Sequence, residues 1–260
     1  MSDRYKLNLL YEKGRNLSSY YAAQEITEEV FNSESLLIST LAMDLPAKNM
    51  KYRKELENRW IEILPKLNKV KALSLRHRVS QQFFEAVCKM PSLEHLHFWT
   101  SSVEDIKSIS SLSKLKKLYL ETFSRLTDIS PLENLHQLEV LSISNSFKIE
   151  NYEVIGVMYQ LVALGLQGDQ TAPKNLRLKS LEPFAQLKAL QHLDLSATTI
   201  IDKSYDVLLN LENLERFDST ANISKQIRDK IKTHPKLKAG FYVDWDWDNK
   251  RFHSGKDWSV

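Results

Sequence analysis

The chain has 260 residues, 42% of them hydrophobic and 27% charged, with a mean hydropathy of −0.38. Such a composition suits a soluble chain with a sizeable core, and it excludes wholesale disorder and a membrane-embedded bundle. Six glycines and seven prolines exclude a collagen-like chain, and the single cysteine, Cys88, excludes an internal disulfide and a multi-thiolate zinc site. Thirty-six Lys+Arg against 33 Asp+Glu leave a net charge of only +3, too thin to point to nucleic acid.

In chain order, Met1–Leu10 sets Asp3, Arg4 and Lys6 around a short apolar patch, with Glu12 and Lys13 close behind. That is not the layout of a secretory signal, and no apolar window approaches the ~18 residues of a membrane span, so the expected location is the cytoplasm. Ser18–Phe31 and Ala47–Leu64 read as helices, the second with Leu56, Trp60, Ile61 and Leu64 on one stripe; Leu36–Leu41 is a short apolar element between them. Residues 1–64 are therefore expected to form a helical N-terminal cap.

From residue 70 the chain returns to one phrase, an aliphatic residue followed by apolar residues three and five positions later. Copies begin at Val70, Leu93, Leu115, Leu138, Leu161, Leu190 and Leu214, separated by 23, 22, 23, 23, 29 and 24 residues. Alternation within each phrase, as in Leu73-Ser74-Leu75, predicts a short strand with one face turned inward. Some returns read as helices: Ser80–Met90, Tyr152–Leu161 and Ser204–Leu214. Others, short and carrying Pro131 or several serines, suit 3₁₀ or extended segments.

These phrases resemble the leucine-rich repeat family over roughly residues 65–243. Leu126-Thr127-Asp128-Ile129-Ser130-Pro131-Leu132 and, more loosely, Val103-Glu104-Asp105-Ile106 resemble the short internalin-like repeats. The position at which the family often carries an asparagine ladder is mixed here: Arg78, Ser101, Phe123, Ser146, Asp169, Thr198 and Asn222. The resemblance implies an α/β solenoid, a curved parallel sheet with helical or 3₁₀ returns, and a recognition role. The solenoid is expected over residues 65–248. Its last segment, Phe241–Asp248, alternates strictly and reads as a capping strand; residues 249–260 read as a tail.

Strand register identifies the side chains pointing outward on the concave face. Candidates for partner binding are Arg76, His95, His97, Trp99, Lys117, Tyr119 and Glu121 on the first rows, and His192, Asp194, Arg216 and Asp218 on the last. Arg76, His97, Trp99 and Tyr119 should lie together, because neighbouring strands are ~4.8 Å apart. Trp, Tyr and Arg dominate binding energy when a partner desolvates them. The two middle rows, Val140-Ser142-Ser144 and Ala163-Gly165-Gln167, are small and nearly neutral. The longest interval inserts Gly168–Asn175, a second candidate contact.

Chemistry is sparse. His95 and His97 point the same way and could share a metal, but His192 is four strands away, on the order of 19 Å by strand spacing. Cys88 falls among Phe84, Val87 and Met90 and reads as a buried structural thiol. There is no phosphate-binding glycine loop, no Gly-x-Ser-x-Gly and no His-Glu-x-x-His. The expectation is a non-enzymatic scaffold without cofactor or metal that binds another protein, with inhibition of a toxin or enzyme as one form of that role. The alternatives are a nucleic-acid binder using the basic stretch Lys66, Lys69, Lys71, Arg76 and Arg78, followed by Lys114, Lys116 and Lys117, and a metal-dependent enzyme at His95/His97.

Overall fold

The structure is a computed structural model and describes residues 9–10, 21–23, 25–45, 48–169, 172, 174–221, 223–246 and 251–252. Its centre is a nine-stranded sheet in which every adjacent pair is parallel. In spatial order the strands are β1 (Tyr21–Ala23), β2 (Ser35–Ile38), β3 (Ala72–Val79), β4 (His95–Ser101), β5 (Lys117–Glu121), β6 (Val140–Ser144), β7 (Ala163–Gln167), β9 (His192–Leu195) and β11 (Arg216–Ser219). Two short strands, β8 (Leu176–Leu178) and β10 (Thr198–Ile200), form a separate parallel pair beside it.

The repeated leucines set the register. Leu36, Leu73, Leu96, Leu118, Leu141, Leu164, Leu193 and Phe217 are consecutive cross-strand partners, and none exceeds 1% exposure. The aliphatic residue opening each phrase is equally buried, so each coil closes over the next and one hydrophobic spine runs through the molecule. Just before each strand, a backbone N–H donates to the carbonyl of the preceding coil. The donors Lys71, Glu94, Lys116, Glu139, Val162, Gln191, Glu215 and Lys238 follow one another from the carbonyl of Glu34 onward. The ladder thus extends one coil beyond the seven phrases at each end, at residues 34–38 and 238–239.

The returns differ in thickness for local reasons. Helix α1 (Glu28–Asn32) is brief, and α2 (Met50–Ile63) starts at Asn49, whose side chain accepts from the Tyr52 N–H, and buries Leu56 and Trp60. Helix α3 (Gln81–Val87) is capped by Ser80 and buries Phe83, Phe84 and Val87, with Cys88 buried at its end. Tyr152–Val157, expected to be helical, is a 3₁₀ turn. A Cβ on Gly156 would come within 2.1 Å of the Pro183 carbonyl oxygen, so the next coil is too close for a wider helix. Only Val207–Asn210 (α4) of the expected Ser204–Leu214 helix forms.

Strand ends turn sharply. Thr122, Asn145 and Ala197, each four residues after the strand leucine, adopt the left-handed conformation (φ 52°, 54° and 53°). The mixed ladder position still joins coils where it carries a hydroxyl. Ser101 donates to the Val79 carbonyl, Ser146 accepts from the Phe123 N–H, and Thr198 donates to the Leu166 carbonyl.

Both ends depart from expectation. Tyr21–Ala23, read as part of a helix, is an edge strand, because pairing of its backbone with Leu36–Ile38 outweighs local pattern. At the other end Phe241–Asp244 is one helical turn (α6), not the start of a strand. Gly240, at φ +114°, presses against the Phe217 backbone and redirects the chain there. Trp245–Asp246 (β12) then pairs antiparallel with Arg251–Phe252 (β13), inside the expected tail. Trp247, Asp248 and Trp258 lie outside the described residues. Helix α5 (Lys225–Lys232), which the repeat pattern does not flag, starts at Ser224, whose hydroxyl accepts from the Ile227 N–H. The inserted segment after β7 is tied at its base by Asp169 pairing with Lys174, whose ammonium lies 4.0 Å from the Phe147 ring centroid.

Candidate functional site

The outward face of β3–β11 carries three chemically distinct zones. In the first, the register places His97 between Ser74 and Tyr119 on neighbouring strands. Its ring stacks on Trp99 at 5.3 Å between centroids and meets Tyr119 edge-on at 5.5 Å. The Arg76 guanidinium lies 5.2 Å from the Trp99 ring centroid, and the Trp99 indole N–H donates to the Ser74 hydroxyl at 3.2 Å. His97 Nε2 sits 3.0 Å from Glu121 Oε1. His95 and Lys117 are cross-strand partners at the edge of this group. The expected meeting of Arg76, His97, Trp99 and Tyr119 is therefore a real juxtaposition, a continuous run of cation, indole, imidazole and phenol.

The third zone, on β9 and β11, is an ionic network. Asp218 accepts two hydrogen bonds from the Arg216 guanidinium and one from the Phe241 N–H at 3.2 Å, and its Oδ2 lies 3.3 Å from His192 Nε2. Asp194 accepts from the Gln167 side-chain amide and from the Ser196 N–H at 2.8 Å. Burial works against ionisation of Asp218, but the hydrogen bond to His192 and the Arg216 charge outweigh it and hold the carboxyl below the ordinary range. At Asp194 burial wins, reinforced by the Asp218 charge, and its pKa is raised despite the bonds from Ser196.

His192, Asp194 and Asp218 bring one potential ligand atom each to within 4.8 Å of one another, a grouping that could hold a cation. The donor set argues otherwise. N–H groups of Arg216, Gln167, Ser196 and Phe241 already converge on the carboxylate oxygens, and the Arg216 cation supplies the compensating charge. At the His95/His97 alternative, His97 is engaged with Glu121, while His192 belongs to the separate network on β9 and β11.

Burial modifies the expected binding surface. His97, Tyr119, His192, Asp194, Arg216 and Asp218 are buried, while Arg76, His95, Trp99, Lys117 and Glu121 are half-buried. His192 and Asp194, both at 0% exposure, are not offered to a partner on this surface, because the network encloses them. Between the two zones lies the second, a patch of small residues, and here sequence reasoning missed its occupant. Leu10, only 2% exposed, packs on Tyr119, Val140 and Ala163, with Leu9 beside it. The signal was present in the small side chains of β6 and β7, but nothing local in the sequence assigns a cover to them.

Among the basic residues of the first coils, Lys71 pairs with Glu34 at 3.2 Å, Lys116 pairs with Glu94 at 2.8 Å, and Lys69 donates to the neutral Asn32 side chain at 3.0 Å. Among the described residues, no helix is long and apolar enough to cross a membrane.

No protein-family model matches the chain, and no curated protein matches it. Similar solved structures carry leucine-rich repeats. The internalin InlF of Listeria monocytogenes aligns with 85% of this chain and 58% of its own, at a TM-score of 0.56 and 16% identity. Internalin C2 of the same organism aligns over 68% and 73% respectively, at 0.53 and 19%. The leucine-rich-repeat ectodomain of the Arabidopsis receptor kinase HAESA, solved with an extended IDA peptide hormone, covers 61% of this chain and 27% of its own, at 0.46 and 20%. This chain thus spans little more than half the length of InlF. Register, hydrogen-bond ladder and the internalin structures agree on the architecture: the chain has the fold of a leucine-rich-repeat solenoid.

Proposed function

We propose that the protein is a non-catalytic recognition scaffold that binds another protein on its concave face, centred on Arg76, His95, His97, Trp99, Lys117, Tyr119 and Glu121. One observation carries this reading. Arg76, Trp99, His97 and Tyr119 form a single ordered stack whose outer members, Arg76 and Trp99, remain half-buried with surface still to lose. A partner that covers them gains apolar area and a desolvated cation–π contact from side chains that are already oriented. His192, Asp194, Arg216 and Asp218 support this face from within as an enclosed network.

No catalytic step is assigned: among the described residues, His97, Trp99 and Glu121 of the face are engaged with neighbouring side chains. The paired lysines weigh against a nucleic-acid phosphate track. The finer reading, capture and inhibition of a toxin or enzyme in a 1:1 complex in the cytoplasm, draws on the size and shape of the face. The test is affinity capture with the full chain and with Trp99→Ala. A partner retained by the first and lost by the second supports the reading; one retained equally by both contradicts it.

A further inference from the structure

We infer that the middle of the concave face is a seat for an aliphatic side chain, and that Leu10 fills it as a built-in competitor that a partner must displace. This deepens the proposed recognition role and rests on it. The seat follows from the sequence of two strands. Val140 and Ser142 on β6 and Ala163 and Gly165 on β7 leave a dent about two strand spacings wide between Tyr119 on β5 and Asp194 on β9. Leu10 occupies it in a patch of its own, with Tyr119, Val140 and Ala163, separate from the spine.

Gly165 shows that the fit is specific. A Cβ added there would meet Leu10 Cδ1 at 3.2 Å and the Ser142 hydroxyl at 3.3 Å, and it would approach no backbone atom as closely. Its backbone is not in the left-handed region, so glycine is not required by conformation. A glycine inside a strand weakens the strand and marks close approach of another group, and the group here is the leucine side chain. The same N-terminal part of the chain returns at Tyr21–Ala23 as the far edge of the sheet. The ten residues between can span ~35 Å, enough to cross the five strand spacings from β1 to β6.

One buried leucine biases an equilibrium by about 10- to 150-fold, so the competitor is strong enough to mask the seat and weak enough to be displaced. A competing ligand of matching chemistry is a peptide segment that presents a leucine-sized aliphatic side chain.

Two measurements on the full chain test this without the unknown partner. In the first, Leu10→Cys is labelled with a maleimide, with Cys88, buried in the spine, as the internal unreactive thiol. Labelling at position 10 should be at least about tenfold slower than in the Leu10→Cys chain that also carries Gly165→Phe, where the seat is filled from below. In the second, a synthetic peptide of residues 1–20 should bind Leu10→Asp at least about tenfold more tightly than it binds the native chain, with Leu10→Ala intermediate. The peptide carrying Leu10→Asp should not bind. Equal labelling rates with and without Gly165→Phe, or equal peptide binding by native and Leu10→Asp chains, would overturn the inference. Neither readout uses Trp99, so loss of the docking reading in the capture experiment is a separate outcome.

Discussion

The two ends of the concave face start from the same strand positions and reach different physical states. At the β3–β5 end, Arg76 and Trp99 stack while keeping part of their surface in water. At the β9–β11 end, Arg216, Asp218, His192 and Asp194 are enclosed, and the Arg216 charge and His192 Nε2 are turned onto Asp218. An exposed ion pair contributes little to stability, whereas an enclosed one becomes a requirement once its partners depend on it. The first end is therefore the one proposed for recognition, and the second packs as part of the scaffold beneath the face.

The largest effect should come from breaking the enclosed end. Arg216→Ala removes the guanidinium that compensates the buried Asp218 carboxylate, and the expected loss is about 3–5 kcal/mol in chemical denaturation. A loss below 1 kcal/mol would mean that the two ends are alike. The aromatic end has a titratable group of its own beneath the surface. Burial lowers the pKa of His77 from 6.5 to about 4, with the Ile38 backbone acting in the opposite direction but not offsetting it, and neither ring nitrogen finds a hydrogen-bond partner. A depressed folded-state value means that His77 contributes stability above pH 6.5 and loses it as pH falls towards 4. That contribution is about 3 kcal/mol, and His77→Phe should remove it from the pH dependence of unfolding.

A smaller change is expected at the proposed recognition surface itself. Trp99→Ala should lower stability by only about 1 kcal/mol while abolishing partner capture. Tyr119→Ala should cost more than Trp99→Ala, since Tyr119 is buried under Leu10. The smallest effect concerns the strand corners: Thr122→Gly, at φ 52°, should raise the denaturation midpoint by the equivalent of roughly 0.5–1 kcal/mol.

The spine was legible because its rule is local and repeated. An inward leucine every 22 to 24 residues, with one longer interval of 29, has few other structural meanings, and strand register then assigns the outward row. The juxtaposition of His97, Trp99 and Tyr119 followed from that register. The terminal coils were not legible for the same reason, since they break the phrase. Ser33 stands where other coils open with an aliphatic residue, and Gly240 stands where they carry a strand leucine. Tyr21–Ala23 is a strand because of what it pairs with, which a helical local pattern conceals. Enclosure of His192 and Asp194 depends on side chains 26 and 27 residues away, Asp218 and Gln167, and the cover over Ala163 comes from Leu10. Pattern assigns a face; only tertiary contact says what lies on it.

The most direct test of the stacked-coil architecture, on which both ends depend, is a methyl nuclear Overhauser experiment on the leucine-labelled chain. Leu73, Leu96, Leu118, Leu141, Leu164 and Leu193 should give an unbroken sequence of cross-peaks, each leucine to the next. Cross-peaks that skip members, or that join Leu96 to Leu164 without Leu118 and Leu141 between, would contradict the register and the docking surface built on it.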